Sequence, residues 1–281
     1  MVDAAAIGVL RDLAIYVGAA TALGVVAYRF IRHYRPQVSW NQEGQVLSRP
    51  YGLPDLIVLA LLGSLFISTM VPPSGDAADK SITSAGLVVS MVITLVICSG
   101  LLLYLSRIRS LNPAQLFGLQ HVHWRHILKV VLVFALISLV SVSLVAILSQ
   151  QWLQDIWPDL KPQDMVETFQ ASGALDIKLL VIFTAVIIAP LSEEILFRGF
   201  VYGVLKRYTD APFAMLASSL MFAIIHMHLG SLLPLCVLAV LFCIAYEITG
   251  CLLVPMFLHM IFNSTSLIVM LFADPSSAPS P

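Results

Sequence analysis

Eight apolar stretches of membrane-spanning length, separated by short polar connections, dominate this chain. About 20 apolar residues in a helix cross a bilayer's hydrocarbon core. In hydrocarbon every backbone N–H and C=O must bond within the protein, so such runs fold as helices. The stretches fall near 7–30, 53–72, 84–105, 128–149, 178–198, 212–227, 231–247 and 251–273. The expected fold is all-α: a polytopic membrane protein of about eight transmembrane helices, the last four forming a C-terminal four-helix core. The sixth and seventh stretches are short and are expected to lie tilted or covered by protein. The first is too long and too arginine-flanked for a cleaved signal and reads as a retained anchor.

Composition agrees. Hydrophobic residues make up 59% and charged residues 11%, where a soluble domain carries about 25% charged. A net charge of -1 gives no nucleic-acid signal. Cys98, Cys236, Cys243 and Cys251 all lie in apolar runs without CxxC spacing, so they read as small buried apolar residues.

Lys and Arg in the connections set the expected orientation. Arg29, Arg32, Arg35 and Arg49 follow the first stretch, Arg107, Arg109, Arg125 and Lys129 the third, and Lys206 and Arg207 the fifth. The connections after the second and fourth are acidic, with Asp76 and Asp79, then Asp155, Asp159, Asp164, Glu167 and Asp176. The basic side is expected to be cytoplasmic and both termini outside. Trp40, Trp124, Trp152 and Trp157 all fall in connections, as interfacial tryptophans do. The chain divides near residue 176 into an N-terminal membrane region (1–176), a core (177–272) and a small, polar tail (273–281) expected to be disordered.

The core holds the polar residues at membrane depth. Glu193-Glu194-x-x-x-Arg198, Phe222-x-x-x-His226 and His259-x-x-x-Asn263 each use i,i+4 spacing, which places both ends on one helix face. A carboxylate at that depth costs roughly 2.5–3.5 kcal/mol on insertion scales and ordinarily faces a cavity. Arg198 can neutralise Glu194, which leaves Glu193 without a local partner. The turn Tyr208–Pro212, with Asp210 as N-cap and Pro212 in the first turn, folds the next helix back. Glu193 and His226 each lie about 16 residues from that turn, roughly 25 Å along their helices, so they share a depth. Pro190, three residues before Glu193, is expected to free the Val186 carbonyl and open space near it. Gly199-x-x-x-Gly203 reads as a close-packing motif. A carboxylate beside a histidine can activate water, and a further His and an Asn can stabilise an oxyanion.

The three motifs, in this order on successive membrane helices, resemble the CAAX-processing type II and bacteriocin-processing intramembrane endopeptidases (the CPBP family). The resemblance covers about residues 177–272. It implies that Glu193 and His226 activate water, that His259 and Asn263 stabilise the oxyanion, and that Glu194 and Arg198 support them. Phe222 is expected to pack and shape the pocket. The substrate implied is a peptide or protein, lipidated or otherwise membrane-associated, with membrane lipid around it and no nucleic acid. The site is expected to open toward the cytoplasmic side or laterally to lipid.

Three alternatives stand beside a metal-free glutamate protease that needs no cofactor. Two carboxylates and two histidines suit a zinc metalloprotease, although Glu194 is better used by Arg198 and no HExxH helix is present. A non-catalytic scaffold or immunity protein of the same fold is the second. A proton or substrate transporter is the third, disfavoured by the lack of an internal repeat. His228 reads as interfacial, and His121, His123 and His126 in QHVHWRH as part of a membrane-surface loop rather than a metal site.

Overall fold

The computed structural model describes residues 4–34, 44–70, 84–120, 123–156 and 175–272. Among these all regular structure is helical. The helices are α1 (Ala4–Tyr34), α2 (Leu53–Thr69), α3 (Ser84–Leu103), a short α4 (Pro113–Leu116), α5 (Trp124–Ile156), α6 (Leu175–Tyr208), α7 (Ala211–Ile225), α8 (Leu232–Thr249) and α9 (Leu253–Phe272). A wide π turn, Tyr104–Ile108, extends α3, and a 3-10 turn, Leu229–Ser231, precedes α8.

Each of the eight apolar stretches is a helix. Those of α1, α3, α5, α6, α8 and α9 are long and apolar enough to cross a membrane, which makes the chain an integral multi-pass membrane protein. The sixth stretch, α7, is short and largely buried, as expected. The seventh is longer than expected, because the 3-10 turn joins α8 and carries the apolar segment over 21 residues, Leu229–Thr249. The second short helix is α2 instead, with 17 residues. Arg35, Trp40, Asp76, Asp79, His121, Trp157, Asp159, Asp164, Glu167 and the tail 273–281 lie outside the described residues.

Local chemistry sets the helix ends. Asp210 caps α7, its Oδ1 accepting from the Phe213 N–H at 2.9 Å, with Pro212 in the first turn where a missing N–H costs nothing. Gly250 ends α8 with φ 62°, a left-handed conformation that suits glycine. It interlocks with a second left-handed glycine, Gly118 (φ 69°): a Cβ on Gly118 would lie 1.8 Å from the Gly250 carbonyl oxygen. The adjacent Phe117 carbonyl accepts from Leu252 N–H at 3.0 Å, which ties the loop after α4 to the start of α9.

Between membrane helices, apolar burial supplies little drive, and close packing and internal polar bonds take over. Gly199 and Gly203 show how. Phe117 seats against Gly199 and Tyr51 against Gly203, so tightly that a Cβ would meet ring carbons at 2.9 and 2.4 Å. The Tyr51 hydroxyl donates to the Gly199 carbonyl. Burial pushes the Tyr51 phenol well above its ordinary range, so it keeps the proton it donates. The close-packing motif of α6 therefore receives two aromatics from the N-terminal region, and one apolar cluster joins Tyr51, Leu105 and Phe117 to Phe200, Tyr202, Phe222 and Tyr246.

Buried charges are paired. Asp55 accepts from Arg109 Nε (2.9 Å), the Tyr104 hydroxyl (2.9 Å) and Gly52 N–H (2.6 Å). Lys206 donates to Glu247 and to the Val46 carbonyl, and Tyr202 also donates to Glu247. Arg32 donates to the carbonyls of Arg207 and Thr209. These bonds gather the C-terminal ends of α1, α6 and α8 and the loop before α2 at one end of the bundle, the basic face.

Candidate active site

The site sits in α6, where the helix is least regular. A π segment, Thr184–Ile188, leads into six α-helical residues, Ala189–Glu194, and a second π segment, Ile195–Tyr202, follows. In a uniform α-helix Pro190 would free the Val186 carbonyl, four residues back. Within the first π segment the bonds run five residues back, as Ala189 N–H to the Thr184 carbonyl shows. In that register the proline, lacking an N–H, orphans Ala185 instead. Asn263 fills the gap, its Nδ2 donating to the Ala185 carbonyl at 2.7 Å.

Glu194 and Arg198 are buried, with side-chain exposures of 0% and 1%, and pair at 3.0 Å. Arg198 Nη2 also donates to the Ala239 carbonyl of α8 at 3.2 Å. Its guanidinium lies 4.5 Å from the Phe222 ring centroid and 5.4 Å from that of Phe242. Such stacking supports a desolvated cation. Glu194 Oε1 has a second partner, His259 Nδ1, at 2.9 Å. Among the described residues Glu194 Oε2 and Arg198 Nε have no hydrogen-bond partner.

Glu193 faces the other way and is 23% exposed. Its Oε2 is 3.9 Å from His226 Nε2 and 3.9 Å from His259 Nε2, and has no direct hydrogen bond. The other nitrogen of each ring is engaged. His226 Nδ1 lies 2.7 Å from the Phe222 carbonyl oxygen, which can only accept, so that nitrogen carries the proton. His259 Nδ1 faces a carboxylate and donates likewise. In the neutral tautomers so defined, each Nε2 is the unprotonated ring nitrogen, and both lie 3.9 Å from the same Glu193 oxygen.

The structure thus brings Glu193, His226 and His259 together, with Glu194 and Arg198 directly behind. Asn263 sits on the same helix as His259 and is anchored to α6. Phe222 is fully buried, 4.7 Å from the His226 ring and 5.9 Å from the His259 ring, and so packs against all three charged or polar neighbours including Arg198. His228 lies outside this group, its Nδ1 2.7 Å from Ser231 Oγ in the turn before α8. Three participants carry no signal in the sequence. Phe242, 5.5 Å from the His259 ring, sits in an apolar run with no spacing signal. The Ala239 and Ala185 carbonyls are backbone groups that no side-chain pattern marks. No group of three or more His, Cys, Asp or Glu among the described residues has an arrangement that could hold a metal ion.

Fold and site together define an all-helical, multi-pass membrane protein with a polar cluster of Glu and His inside its C-terminal helices. Over residues 175–265 this chain is similar to the family described as Type II CAAX prenyl endopeptidase Rce1-like, the family its motifs resemble. A Bacillus subtilis (strain 168) protein named "Putative membrane peptidase YdiL" is 36% identical to it over 92 residues. That alignment covers 33% of this chain and 38% of the curated relative's length. No solved structure matches significantly.

Proposed function

We propose that the chain is an intramembrane endopeptidase that hydrolyses a peptide bond with water activated by Glu193 and His226. The observation that carries this reading is the approach of His226 Nε2 and His259 Nε2 to one Glu193 oxygen, each at 3.9 Å. That separation is too long for a hydrogen bond and fits a water about 2.8 Å from each neighbour. Such a water donates one proton to Glu193 and the other to His226 Nε2. As its oxygen attacks the carbonyl carbon, the first proton passes to Glu193. The tetrahedral intermediate collapses when that proton reaches the leaving nitrogen, giving one new carboxyl and one new amino terminus.

His259 is suited to the developing oxyanion. Donation from its Nε2 requires His259 to take up a second proton from solvent before the step, since both protons of the attacking water go to Glu193 and His226; Glu194 at Nδ1 compensates that charge. Asn263 commits one amide hydrogen to Ala185 and keeps a second for the oxyanion. The substrate class is a membrane-associated peptide or protein. Glu193 lies roughly 20 Å along α6 from Tyr208 at about 1.5 Å per residue. An opening on the cytoplasmic side must therefore reach that depth, and the alternative is lateral access from lipid. The basic face is assigned to the cytoplasm by the positive-inside rule, with both termini outside.

A zinc enzyme using Glu193, His226 and His259 is the second reading, although as placed these three do not form a group that could hold a metal ion. Tetrahedral Zn²⁺ with ligands near 2.0–2.2 Å places them roughly 3.3–3.5 Å apart, so the 3.9 Å separations would have to tighten. Exhaustive chelation of the purified protein separates the two: activity lost and then restored by Zn²⁺ excludes the metal-free mechanism. Proteolysis itself is tested by comparing membrane-protein termini in cells carrying the wild type and Glu193→Gln. New termini present only with the wild type are expected. Identical termini with an unchanged cellular phenotype would favour a scaffold or immunity role.

A further inference from the structure

Burial around the site is one-sided. Toward the basic face, Phe197, Phe200, Tyr202, Phe222, Cys243 and Tyr246 are buried and pack in one cluster across α6, α7 and α8. Away from that face the packing loosens. No residue of the π segment Thr184–Ile188 is buried, and none from 225 to 232 or from 260 to 267. These three segments carry the Ala185 carbonyl, His226 and Asn263. Glu193 and His226, whose side chains are each 23% exposed, stand at the boundary between the two regions.

The level of this looser side in the bilayer follows from α1. Leu10 and Ala14 cluster with Met70 and Ile224, and Met227, Leu229 and Leu232 rest against them. Between Leu10 and Ala14 lie Arg11 and Asp12, paired at 3.1 Å with side chains 39% and 55% exposed. Charged side chains are strongly disfavoured in hydrocarbon, and an aspartate is too short to snorkel out of it. Asp12 therefore marks the water boundary, and the turn after His226 lies at the same level. The next charge on α1 is Arg29, 17 residues on, roughly 26 Å away and close to the ~30 Å of a hydrocarbon core. α2 also stops at this level, with Met70 as its C-cap. α6 and α9 continue past it: Leu175 lies roughly 27 Å before Glu193 and Phe272 roughly 14 Å beyond Asn263. We propose that the site is entered from water on the face opposite the basic one, over the α7–α8 turn, and takes a polypeptide segment presented at that membrane surface. The nature of the substrate rests on the protease reading above; the direction of entry does not. Entry from the basic face would instead have to displace the buried aromatic cluster.

Entry is tested on the full-length protein in sealed membrane vesicles of each orientation, with a negatively charged, membrane-impermeant thiosulfonate as probe. Cys98→Ser serves as the background, because the other three cysteines are buried. Asp12→Cys and Arg49→Cys, at exposed positions, report the two faces. Glu193→Cys is expected to react from the face that labels Asp12→Cys. From the face that labels Arg49→Cys its reaction should be on the order of 10²-fold slower, the factor by which hydrocarbon excludes a charge. Should gel filtration show Glu193→Cys misfolded, Leu229→Cys in the turn before α8 is read in the same assay. Faster labelling from the Arg49 face would overturn the proposal. So would protection from both faces, which would leave lipid as the only route. Labelling requires no peptide cleavage, so its failure leaves the protease reading untouched, and a failure of that reading leaves the direction of entry standing.

Discussion

His259 Nδ1 lies 2.9 Å from Glu194 Oε1, so the buried member of the glutamate pair holds one of the two histidines that face the exposed member. The same oxygen accepts from Arg198 at 3.0 Å. Glu194 thus has two duties, neutralising Arg198 and fixing the tautomer and aim of His259. Glu194→Gln keeps the shape and removes the charge. Turnover is expected to fall about 10²-fold, the scale of one general acid–base or electrostatic contribution, with KM little changed because Glu194 does not line the exposed edge. Steady-state kinetics on a cleavable peptide checks this; a rise in KM alone would place Glu194 in substrate binding.

Arg198 is a structural requirement first. Removing one partner of a buried ion pair leaves an uncompensated charge, at about 3–5 kcal/mol. Arg198→Ala is expected to lower the melting temperature of the detergent-solubilised protein markedly and to abolish activity. Arg198→Ala/Glu194→Ala should recover much of the stability and none of the activity. A double variant as unstable as the single one would argue against the pairing.

Asn263 has two separable roles, and Pro190 distinguishes them. Asn263→Ala orphans the Ala185 carbonyl, at about 1–3 kcal/mol for a buried acceptor. Pro190→Ala restores an N–H in the register that Ala185 faces. The combination Pro190→Ala/Asn263→Ala is therefore expected to regain thermal stability. If Asn263 also stabilises the oxyanion, turnover stays low in the double variant. Full recovery of turnover would reduce Asn263 to a helix clamp.

Met227 ends α7 immediately after His226 in a left-handed conformation, φ 52°, where a non-glycine residue is strained by roughly 1–2 kcal/mol. Its side chain packs in the cluster of Leu10, Ala14, Met70 and Ile224, so α1 and α2 hold the turn that aims His226. Met227→Gly relieves the backbone and removes the anchor. Turnover is expected to drop several-fold while the melting temperature stays within a few degrees. Wild-type turnover with a higher melting temperature would show the anchor to be dispensable.

The apolar runs made the helices legible, and the Asp210-Ala211-Pro212 cap placed the turn that returns α7 toward Glu193. Depth arithmetic then put His226 at the level of Glu193, and the separation is 3.9 Å. Lateral placement was not legible, since which face of α9 meets α6 depends on packing. The π segments were also hidden. Nothing in TAVII or ILFRGFVY departs from a good helical pattern, yet the wide turns decide that Ala185, and not Val186, needs Asn263. The role of the N-terminal region was invisible for a similar reason: Tyr51 and Phe117 lie in connections that resemble ordinary loops and act only by fitting over Gly199 and Gly203.

That fit has a consequence for where the functional unit ends. Similarity draws a border at residue 175, but Tyr51 and Phe117 make the close contacts on α6 from far upstream. A transplanted segment 175–272 would carry every residue of the cluster and lose the rings that fill the glycine notches and the hydroxyl that bonds the Gly199 carbonyl. The peptidase-like third is thus not a portable cassette. A chimera that moves it into another membrane protein must bring two aromatic plugs along, or evolve new ones.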